Sequence, residues 1–227
     1  MQYMGSKNKI ARDILAVVNQ VRKPEQVWVE PFCGGCNMLD KIPGDRVGID
    51  SHTELIAMWK ALQTGWTPPD TVTRERYYHV KNNPDKYPPE LVGFVGFLCS
   101  FGGKWWGGYA FNSKGDNYAA RAVRVLTKQI TLLENVKFIC GSYDSVPLPK
   151  KSLIYCDPPY SGTTEYKNKF DHTKFFNWCR KLKSDGHTVF VSEYTAPSDF
   201  KQVLSIGHKT ILDKNSQYPR LEKLFTL

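Results

Sequence analysis

Four consecutive residues combine a carboxylate, two prolines and an aromatic ring: Asp157, Pro158, Pro159 and Tyr160. They directly follow the apolar run Ser152–Cys156, which predicts a buried strand. The two prolines fix φ and remove two backbone donors, which predicts a rigid turn with outward-pointing carbonyl groups. Ligands of open α/β sheets bind at the carboxyl ends of strands, so this turn is a candidate catalytic site. The alternative is a strand-ending turn with an incidental tyrosine.

A second candidate site is the glycine turn Glu30–Asn37 (EPFCGGCN), which follows another predicted strand. Glycines where a strand meets a helix allow the backbone to approach a ligand closely. The turn lacks the G-x-G-x-x-G pattern of dinucleotide dehydrogenases, which argues against a nicotinamide-dependent oxidoreductase. Asp50 ends the next predicted strand 20 residues after Glu30, a spacing that suits recognition of ribose hydroxyls. By itself this segment is also compatible with a plain tight turn.

Apolar runs separated by helix-length segments must position these two turns. The predicted strands are Val27–Phe32, Arg46–Asp50, Val136–Tyr143, Ser152–Cys156 and His187–Tyr194. The predicted helices are Lys7–Val21, Asn117–Leu133 and Thr173–Ser184. Continuous hydrophobicity is typical of strands buried on both faces, and the alternation of strands and helices predicts an open, doubly wound, mostly parallel α/β sheet. Two later runs, His208–Leu212 and Lys223–Thr226, predict a closing hairpin.

The alternation of strands and helices lapses between Ser51 and Asn135, where proline and glycine pairs punctuate the chain. A structureless loop of this length would be unusual in a compact domain. We therefore predict a small, mostly helical insertion that ends in a loop rich in glycine and aromatic residues. The predicted domains are a catalytic domain of residues 1–50 and 136–227 and an inserted region of residues 51–135.

The composition indicates a soluble protein with a polyanionic partner. Hydrophobic residues make up 41% of the 227 residues, enough for a core, which excludes global disorder. No apolar run approaches the roughly 18 residues needed to cross a bilayer, and the N-terminus has no secretory signal, so we expect an intracellular protein. The net charge of +9 favours nucleic acid as a partner.

The six cysteines fit buried free thiols in a reducing compartment, because nothing in the chain indicates a secreted disulfide scaffold. Cys33 and Cys36 form a C-x-x-C pattern. No second such pair and no histidine pair completes a zinc site, so we expect no metal.

The motifs in this order resemble those of the Dam-type DNA adenine methyltransferases. The resemblance rests on Tyr3-x-Gly5-Ser6-Lys7, the Glu30–Pro31–Phe32 glycine turn, the insertion and the Asp157–Tyr160 tetrapeptide. Further similar segments are 101–105, 111–115, 170–172, 189–194 and 221–225. The chain departs from the family at Cys36, where the family usually has a small residue such as Gly or Ser. The resemblance implies a Rossmann-like fold and transfer of a methyl group from S-adenosylmethionine to the N6 amine of adenine in duplex DNA.

The resemblance also implies roles for individual residues. The Asp157 carboxylate and the Pro158 carbonyl would accept the two hydrogens of the adenine amine, which stabilises the charge that develops on nitrogen. Tyr160 would stack on the adenine after it has been flipped out of the duplex. The implied cofactor-binding residues are Tyr3, Lys7, Glu30, Phe32, Gly34, Gly35, Asp50, Asp144 and Asp157.

Residues 101–128 are the candidate DNA surface, because they carry five basic side chains, one acidic side chain and several aromatic rings. Such a segment suits contact with phosphates and stacking beside a flipped base. The alternative is a solvated helix face beside core aromatic rings. The predicted DNA-binding residues are Lys104, Trp105, Asn112, Lys114, Arg121 and Arg124. Lys167 and Lys169 are a further candidate for a loop that closes over DNA.

Two other functions stay open at this point. One is transfer to the exocyclic amine of cytosine, which a similar tetrapeptide can serve, and the other is a catalytically silent relative that binds nucleic acid. The expected partner is double-stranded DNA, with no membrane and no metal, and the expected assembly is a monomer or weak dimer. The expected location is the cytoplasm of a bacterium or a phage-infected host, where the enzyme could belong to a restriction–modification system.

Overall fold

The computed structural model describes residues 1–160, 170–208 and 220–227. The strands in this part of the chain are β1 (Trp28–Glu30), β2 (Arg46–Asp50), β3 (Val136–Cys140), β4 (Leu153–Cys156), β5 (Thr188–Glu193), β6 (Lys201–His208) and β7 (Arg220–Thr226). The α-helices are α1 (Ala11–Val18), α2 (Thr53–Gln63), α3 (Arg74–Asn82), α4 (Pro89–Leu98), α5 (Tyr118–Ile130) and α6 (His172–Ser184). Short 3-10 turns cover Lys7–Lys9, Leu39–Lys41, Pro84–Lys86 and Phe101–Gly103.

Within the described residues, seven strands form one mixed sheet in the order β3-β2-β1-β4-β5-β7-β6. The pairs β1/β4, β4/β5 and β2/β3 are parallel, whereas β7 runs antiparallel to both β5 and β6. The chain passes from β1 through β2 to β3 and then returns to β4, so the strand order reverses at the β1/β4 pair. The predicted doubly wound, mostly parallel, Rossmann-like α/β fold is confirmed.

The chain forms two compact units. The first unit comprises Met1–Asn8 and Cys33–Val146, with β2, β3 and α2 to α5. Its helices α2 and α4 approach closely at Gly93, where a methyl group would overlap the Glu54 carbonyl oxygen. Asn117 caps the start of α5, because its side chain accepts the Ala120 N–H at 3.0 Å. Four helices therefore fill the stretch for which the sequence predicts a mostly helical insertion.

The second unit comprises Lys9–Phe32 and Pro147–Leu227, with α1, α6 and the remaining five strands. Its core includes the fully buried side chains of Trp28, Tyr155 and Phe175. The helix α6 begins where the Asp171 side chain accepts the Lys174 N–H at 2.9 Å. The predicted limits of the inserted region, 51–135, remain a prediction, because the units are defined by packing and not by motif order.

Several sequence predictions need correction. The strand β3 is not buried on both faces, because it lies at the edge of the sheet, and Lys137 and Cys140 are exposed on it. For the same reason Cys140 is an exposed thiol, whereas the other five cysteines are buried as predicted. The first predicted helix, Lys7–Val21, is shorter, since residues 1–8 pack in the first unit and the Met4 N–H donates to the Gly103 carbonyl at 3.3 Å.

The predicted closing hairpin is present, but its first strand lies earlier in the chain. β6 begins at Lys201 and ends at His208, so most of the predicted run His208–Leu212 lies outside the described residues. The pairing of β6 with β7 has a register shift between Gln202 and Leu204. None of the helices in the described part of the chain has the length and apolar character needed to span a membrane.

Candidate active site

The tetrapeptide Asp157–Tyr160 directly follows β4, as its sequence predicts. Asp157 is half-buried and Pro158 is buried, so the carboxylate reaches solvent from a turn whose backbone is packed against the protein. Cys156, the last residue of β4, is opposite Val191 of β5, which places Asp157 at the carboxyl end of two parallel strands. This position is the one at which open α/β sheets bind ligands.

Tyr160 is held at both its ring and its hydroxyl group. The hydroxyl donates to the Glu222 carboxylate at 2.7 Å, and the ring meets Tyr194 edge-on with 4.7 Å between ring centroids. Burial and the carboxylates of Asp157 and Glu222 raise the pKa of Tyr160 well above 10. The hydroxyl therefore remains a protonated donor at neutral pH.

A layer of paired polar and aromatic groups lies on the strands next to the Asp157–Tyr160 turn. The Trp28 indole N–H donates to the Glu30 carboxylate at 2.9 Å, and the Trp28 ring stacks on Tyr155 at 5.9 Å between centroids. The Tyr155 hydroxyl shares a 2.8 Å hydrogen bond with Ser192. Burial and the nearby Asp157 carboxylate raise the pKa of Tyr155 well above 10. The layer fixes the ends of β1, β4 and β5 relative to one another.

Phe32, a predicted cofactor-binding residue, belongs to an aromatic cluster in the second unit. Its ring contacts Phe170 and Phe175 edge-on, each at 5.8 Å between centroids. Beside this cluster, the His172 ring nitrogen lies 3.6 Å from the buried carboxylate of Glu193. Burial lowers the pKa of His172. An acidic residue thus ends β5 close to the family-like segment 170–172.

In the first unit, the glycines of the glycine turn allow Tyr3 to pack directly on the backbone. A methyl group at Gly34 would lie 2.7 Å from the Tyr3 ring, and one at Gly35 would lie 2.7 Å from the Tyr3 Cβ. Gly34 also has a φ of +44°, which favours glycine. The Gly34 carbonyl accepts the Trp59 indole N–H at 3.0 Å, and the Gly35 carbonyl accepts the Gln129 amide at 3.0 Å.

Asp50 binds the same turn from the end of β2. One carboxylate oxygen accepts the Gly34 N–H at 3.0 Å, and the other accepts the His52 N–H at 2.9 Å. Burial raises the pKa of Asp50, and these backbone hydrogen bonds oppose the rise. Tyr3, Gly34, Gly35 and Asp50, which the sequence predicts as cofactor-binding residues, are therefore in one connected group.

Two further predicted cofactor-binding residues, Lys7 and Asp144, form hydrogen bonds within their own segments. Lys7 is buried, and its ammonium group donates to the Gly5 carbonyl at 3.0 Å. Asp144 is exposed in the turn after β3 and accepts a hydrogen bond from the Ser142 hydroxyl. The cofactor roles of both residues remain predictions.

The basic residues of the predicted DNA surface are exposed in the first unit. Lys104, Lys114, Arg121 and Arg124 all lie at the surface, and Arg121 and Arg124 are three residues apart on one face of α5. Trp105 is half-buried, because its ring packs on His52 at 4.2 Å and on Phe97 at 4.7 Å between centroids. Lys167 and Lys169 lie outside the described residues.

Asn112 organises its own loop rather than presenting a free amide. Its side-chain oxygen accepts the backbone N–H groups of Lys114 and Asp116, each at 3.1 Å. Its amide nitrogen donates to the Asp116 carboxylate at 2.6 Å. The predicted DNA contact of Asn112 thus competes with hydrogen bonds that shape the loop.

Three residues beside the predicted site residues have no predicted catalytic or binding role: Glu222, Glu193 and His52. Glu222 lies in the family-like segment 221–225. A single carboxylate in a strand does not reveal from sequence that its partner is Tyr160. His52 lies two residues after Asp50 and supports the Trp105 ring. Throughout the described ranges, no three His, Cys, Asp or Glu side chains are grouped as a metal site.

The strand order defines a doubly wound α/β protein, and its Asp157–Tyr160 turn lies at the end of β4, where open α/β sheets bind ligands. The chain belongs to the D12 class N6 adenine-specific DNA methyltransferase family, whose sequence profile matches residues 3–89 and 99–218. The predicted membership of a Dam-type adenine methyltransferase family is therefore confirmed.

Among solved structures, the chain is similar to SMU.472, a protein assigned as a methyltransferase and crystallised in complex with SAH. The sequence identity is 12% and the TM-score is 0.42. The match covers 100% of this chain and 54% of that one, so the chain spans about half the length of that structure. No curated protein matches the chain.

Proposed function

We propose that this chain transfers a methyl group from S-adenosylmethionine to the N6 amine of an adenine flipped out of duplex DNA. The observation that carries the proposal is the Asp157–Tyr160 turn at the carboxyl end of β4 in a chain of this family. Family membership favours adenine over cytosine as the target base. The intact catalytic turn argues against a silent relative.

Asp157 and Pro158 would make the adenine amine reactive. The lone pair of this amine is delocalised into the ring, so the nitrogen is a poor nucleophile. Two acceptors that bind its two hydrogens favour a pyramidal nitrogen and stabilise its developing positive charge. The Asp157 carboxylate and the Pro158 carbonyl supply one acceptor each. Because the acceptors also align the nitrogen for attack, Asp157 does not need to be a strong base.

Tyr160 would hold the flipped adenine by stacking. A base within a duplex is inaccessible, so the enzyme must extrude it and replace its lost stacking partners. The Tyr160 ring is already fixed by Tyr194 and Glu222 before any substrate binds. A fixed ring costs less conformational entropy when the base arrives.

The residues of the glycine turn fit S-adenosylmethionine in their chemistry. When bound, this cofactor supplies an electrophilic methyl group on a sulfonium leaving group. A carboxylate has about four acceptor positions. The Gly34 and His52 N–H groups bind the Asp50 carboxylate, and a ribose hydroxyl would bind at another of its acceptor positions. The proposed cofactor-binding residues are Tyr3, Lys7, Glu30, Phe32, Gly34, Gly35, Asp50, Asp144 and Asp157.

The exposed basic residues of the first unit would bind the DNA backbone. Lys and Arg side chains that neutralise phosphates release counterions, so we expect affinity to fall steeply with salt. The proposed contacts are Lys104, Lys114, Arg121 and Arg124, with Trp105 and Asn112 supporting the loop. We place this activity in the cytoplasm of a bacterium or a phage-infected host.

The test is to incubate the purified chain with isotope-labelled S-adenosylmethionine and unmethylated bacterial DNA. The DNA is then digested to nucleosides and analysed by mass spectrometry. We expect labelled N6-methyladenine. Sequencing the DNA of a methylation-free host that expresses the chain would also give the recognition sequence.

Each other outcome of this test has a defined meaning. Labelled N4-methylcytosine would replace the proposed base with cytosine. No labelled nucleoside, with DNA binding retained, would identify a silent relative. The same assay is repeated with heat-denatured DNA. Labelled product from duplex DNA but not from heat-denatured DNA supports a double-stranded substrate.

A further inference from the structure

Glu222 approaches the catalytic turn from the last strand of the sheet. β7 pairs with β5 in a register that sets Ser192 opposite Leu224 and Glu193 opposite Lys223. Glu222 is the next residue toward the start of β7, where it is opposite Ile206 of β6. Its carboxylate is thereby at the same end of the second unit as the catalytic turn.

The hydrogen bond between Tyr160 and Glu222 is well suited to fix an aromatic ring. The hydroxyl oxygen and the carboxylate oxygen are 2.7 Å apart, a normal distance for an O–H···O hydrogen bond. Tyr194 meets the Tyr160 ring edge-on, so the hydroxyl bond and the ring contact restrict different motions of one side chain.

We propose that Glu222 is a positioning residue that sets the orientation of the Tyr160 ring for stacking on the flipped adenine. This role rests on the proposed function, since Tyr160 stacks on the base only in a methyltransferase that flips it. Glu222 acts through Tyr160 and does not touch the reacting nitrogen. Loss of the carboxylate leaves the ring present but free to tilt.

The consequence is a defect in the chemical step and not in cofactor binding. Small misplacements of a positioned group can lower rates by about a hundredfold. We expect Glu222→Ala to lower the single-turnover rate of methyl transfer by between about tenfold and a hundredfold. The Kd for S-adenosylmethionine should stay within about twofold of the wild-type value, because no proposed cofactor-binding residue has changed.

Three matched variants isolate the hydrogen bond. Tyr160→Phe removes only the hydroxyl and should lower the rate about as much as Glu222→Ala. Glu222→Gln keeps an acceptor oxygen and should restore most of the rate. Leu221→Ala changes an exposed neighbour on β7 and should leave the rate at the wild-type value. If Glu222→Ala does not fold, Tyr160→Phe still tests the hydrogen bond between Tyr160 and Glu222.

A double-mutant cycle then shows whether the two residues act through each other. Tyr160→Phe combined with Glu222→Ala should be no slower than either single variant. The role is overturned if Glu222→Ala slows Tyr160→Phe by the same factor as it slows the wild type. It is also overturned if Tyr160→Phe keeps the wild-type rate, or if Glu222→Gln is as slow as Glu222→Ala.

The failure of this role is distinct from a failure of the proposed function. A wild-type chain that methylates no DNA refutes the proposed function and this role together. A wild-type chain that methylates adenine, with a Glu222→Ala variant of equal single-turnover rate, refutes this role alone.

Discussion

The Asp50 carboxylate accepts the Gly34 backbone N–H at 3.0 Å, so the end of β2 holds the glycine turn directly. A second bond, from the His52 N–H at 2.9 Å, fixes the other carboxylate oxygen. The group that would bind ribose hydroxyls is therefore also part of the framework of its own site. Changes at this position should affect folding as well as ligand binding.

Asp50→Asn should change how stability depends on pH. Burial raises the pKa of Asp50 from its usual value of 3.8, so the folded state binds this proton more tightly than the unfolded state. The stability from this group is therefore fully present below pH 3.8 and is lost as the pH rises through the raised pKa. Denaturant titrations from about pH 3.5 to about 7 should show the wild type losing stability relative to Asp50→Asn.

The exposed residue Asp45 supplies the control for this experiment. Asp45→Asn lies in the loop before β2 and should not reproduce the slope seen with Asp50→Asn. A wild type that gains stability relative to Asp50→Asn over the same interval would contradict the raised pKa.

Gly34→Ala should destabilise the first unit and weaken binding of S-adenosylmethionine. The new methyl group would lie 2.7 Å from the Tyr3 ring, and the φ of +44° disfavours a side chain by about 1–2 kcal/mol. Gly65→Ala is a matched control, because Gly65 has a φ of +90° and open space around it. Denaturant unfolding should show a larger loss at Gly34, and calorimetry should show weaker cofactor binding for that variant only. Equal losses of stability in both variants would show that the contact between Gly34 and Tyr3 does not matter for stability.

Reversing the charges of Arg121 and Arg124 should weaken DNA binding in a salt-dependent way. Each lost phosphate contact reduces the slope of log affinity against log salt by about 0.9. Fluorescence anisotropy with duplex DNA at several salt concentrations measures this slope. Lys150→Glu is the control, since Lys150 is exposed before the amino end of β4, whereas the Asp157–Tyr160 turn follows the carboxyl end of that strand. An unchanged slope in Arg121→Glu/Arg124→Glu would exclude α5 from the DNA surface.

Asn117→Ala should destabilise α5 by about 1 kcal/mol, because it removes the N-cap of that helix. The Asn117 side chain accepts the Ala120 N–H at 3.0 Å and donates to the Asp70 carbonyl at 2.9 Å. Asn117→Asp keeps the capping oxygen and should lose less stability than Asn117→Ala in urea unfolding. If the two variants are equally stable, the cap does not hold the helix.

The sequence was sufficient to predict strands β1 to β5 and helices α1, α5 and α6, because each is a local pattern. It predicted α2 to α4 only together, as a mostly helical insertion. The strand Arg46–Asp50 is observed at its predicted limits, and Asn117 caps the helix whose predicted start it marks. The burial of β3 could not be predicted, since its edge position depends on the order of all the strands. A run of apolar residues has the same appearance at the edge as at the centre of a sheet.

Some residues of the candidate site could likewise be predicted from local sequence, and others could not. The Asp157–Tyr160 turn could be predicted, because a rigid dipeptide after an apolar run is a local signal. Glu222 could not, because its bond to Tyr160 joins residues 62 positions apart and depends on the register of β7. For Tyr3 the sequence motif could be recognised, but the contact of its ring with Gly34 could not be predicted, because it depends on packing.

The most direct test of the proposed chemistry is the single-turnover rate at which Asp157→Ala forms N6-methyladenine. With saturating labelled S-adenosylmethionine and duplex DNA, mass spectrometry follows the product over time. Loss of the carboxylate should lower the rate by at least about a hundredfold, the effect of removing one group that stabilises transition-state charge. The unfolding temperature should stay close to that of the wild type, which shows that the variant is folded. A folded Asp157→Ala variant with the wild-type rate would contradict the assignment of this turn as the catalytic site.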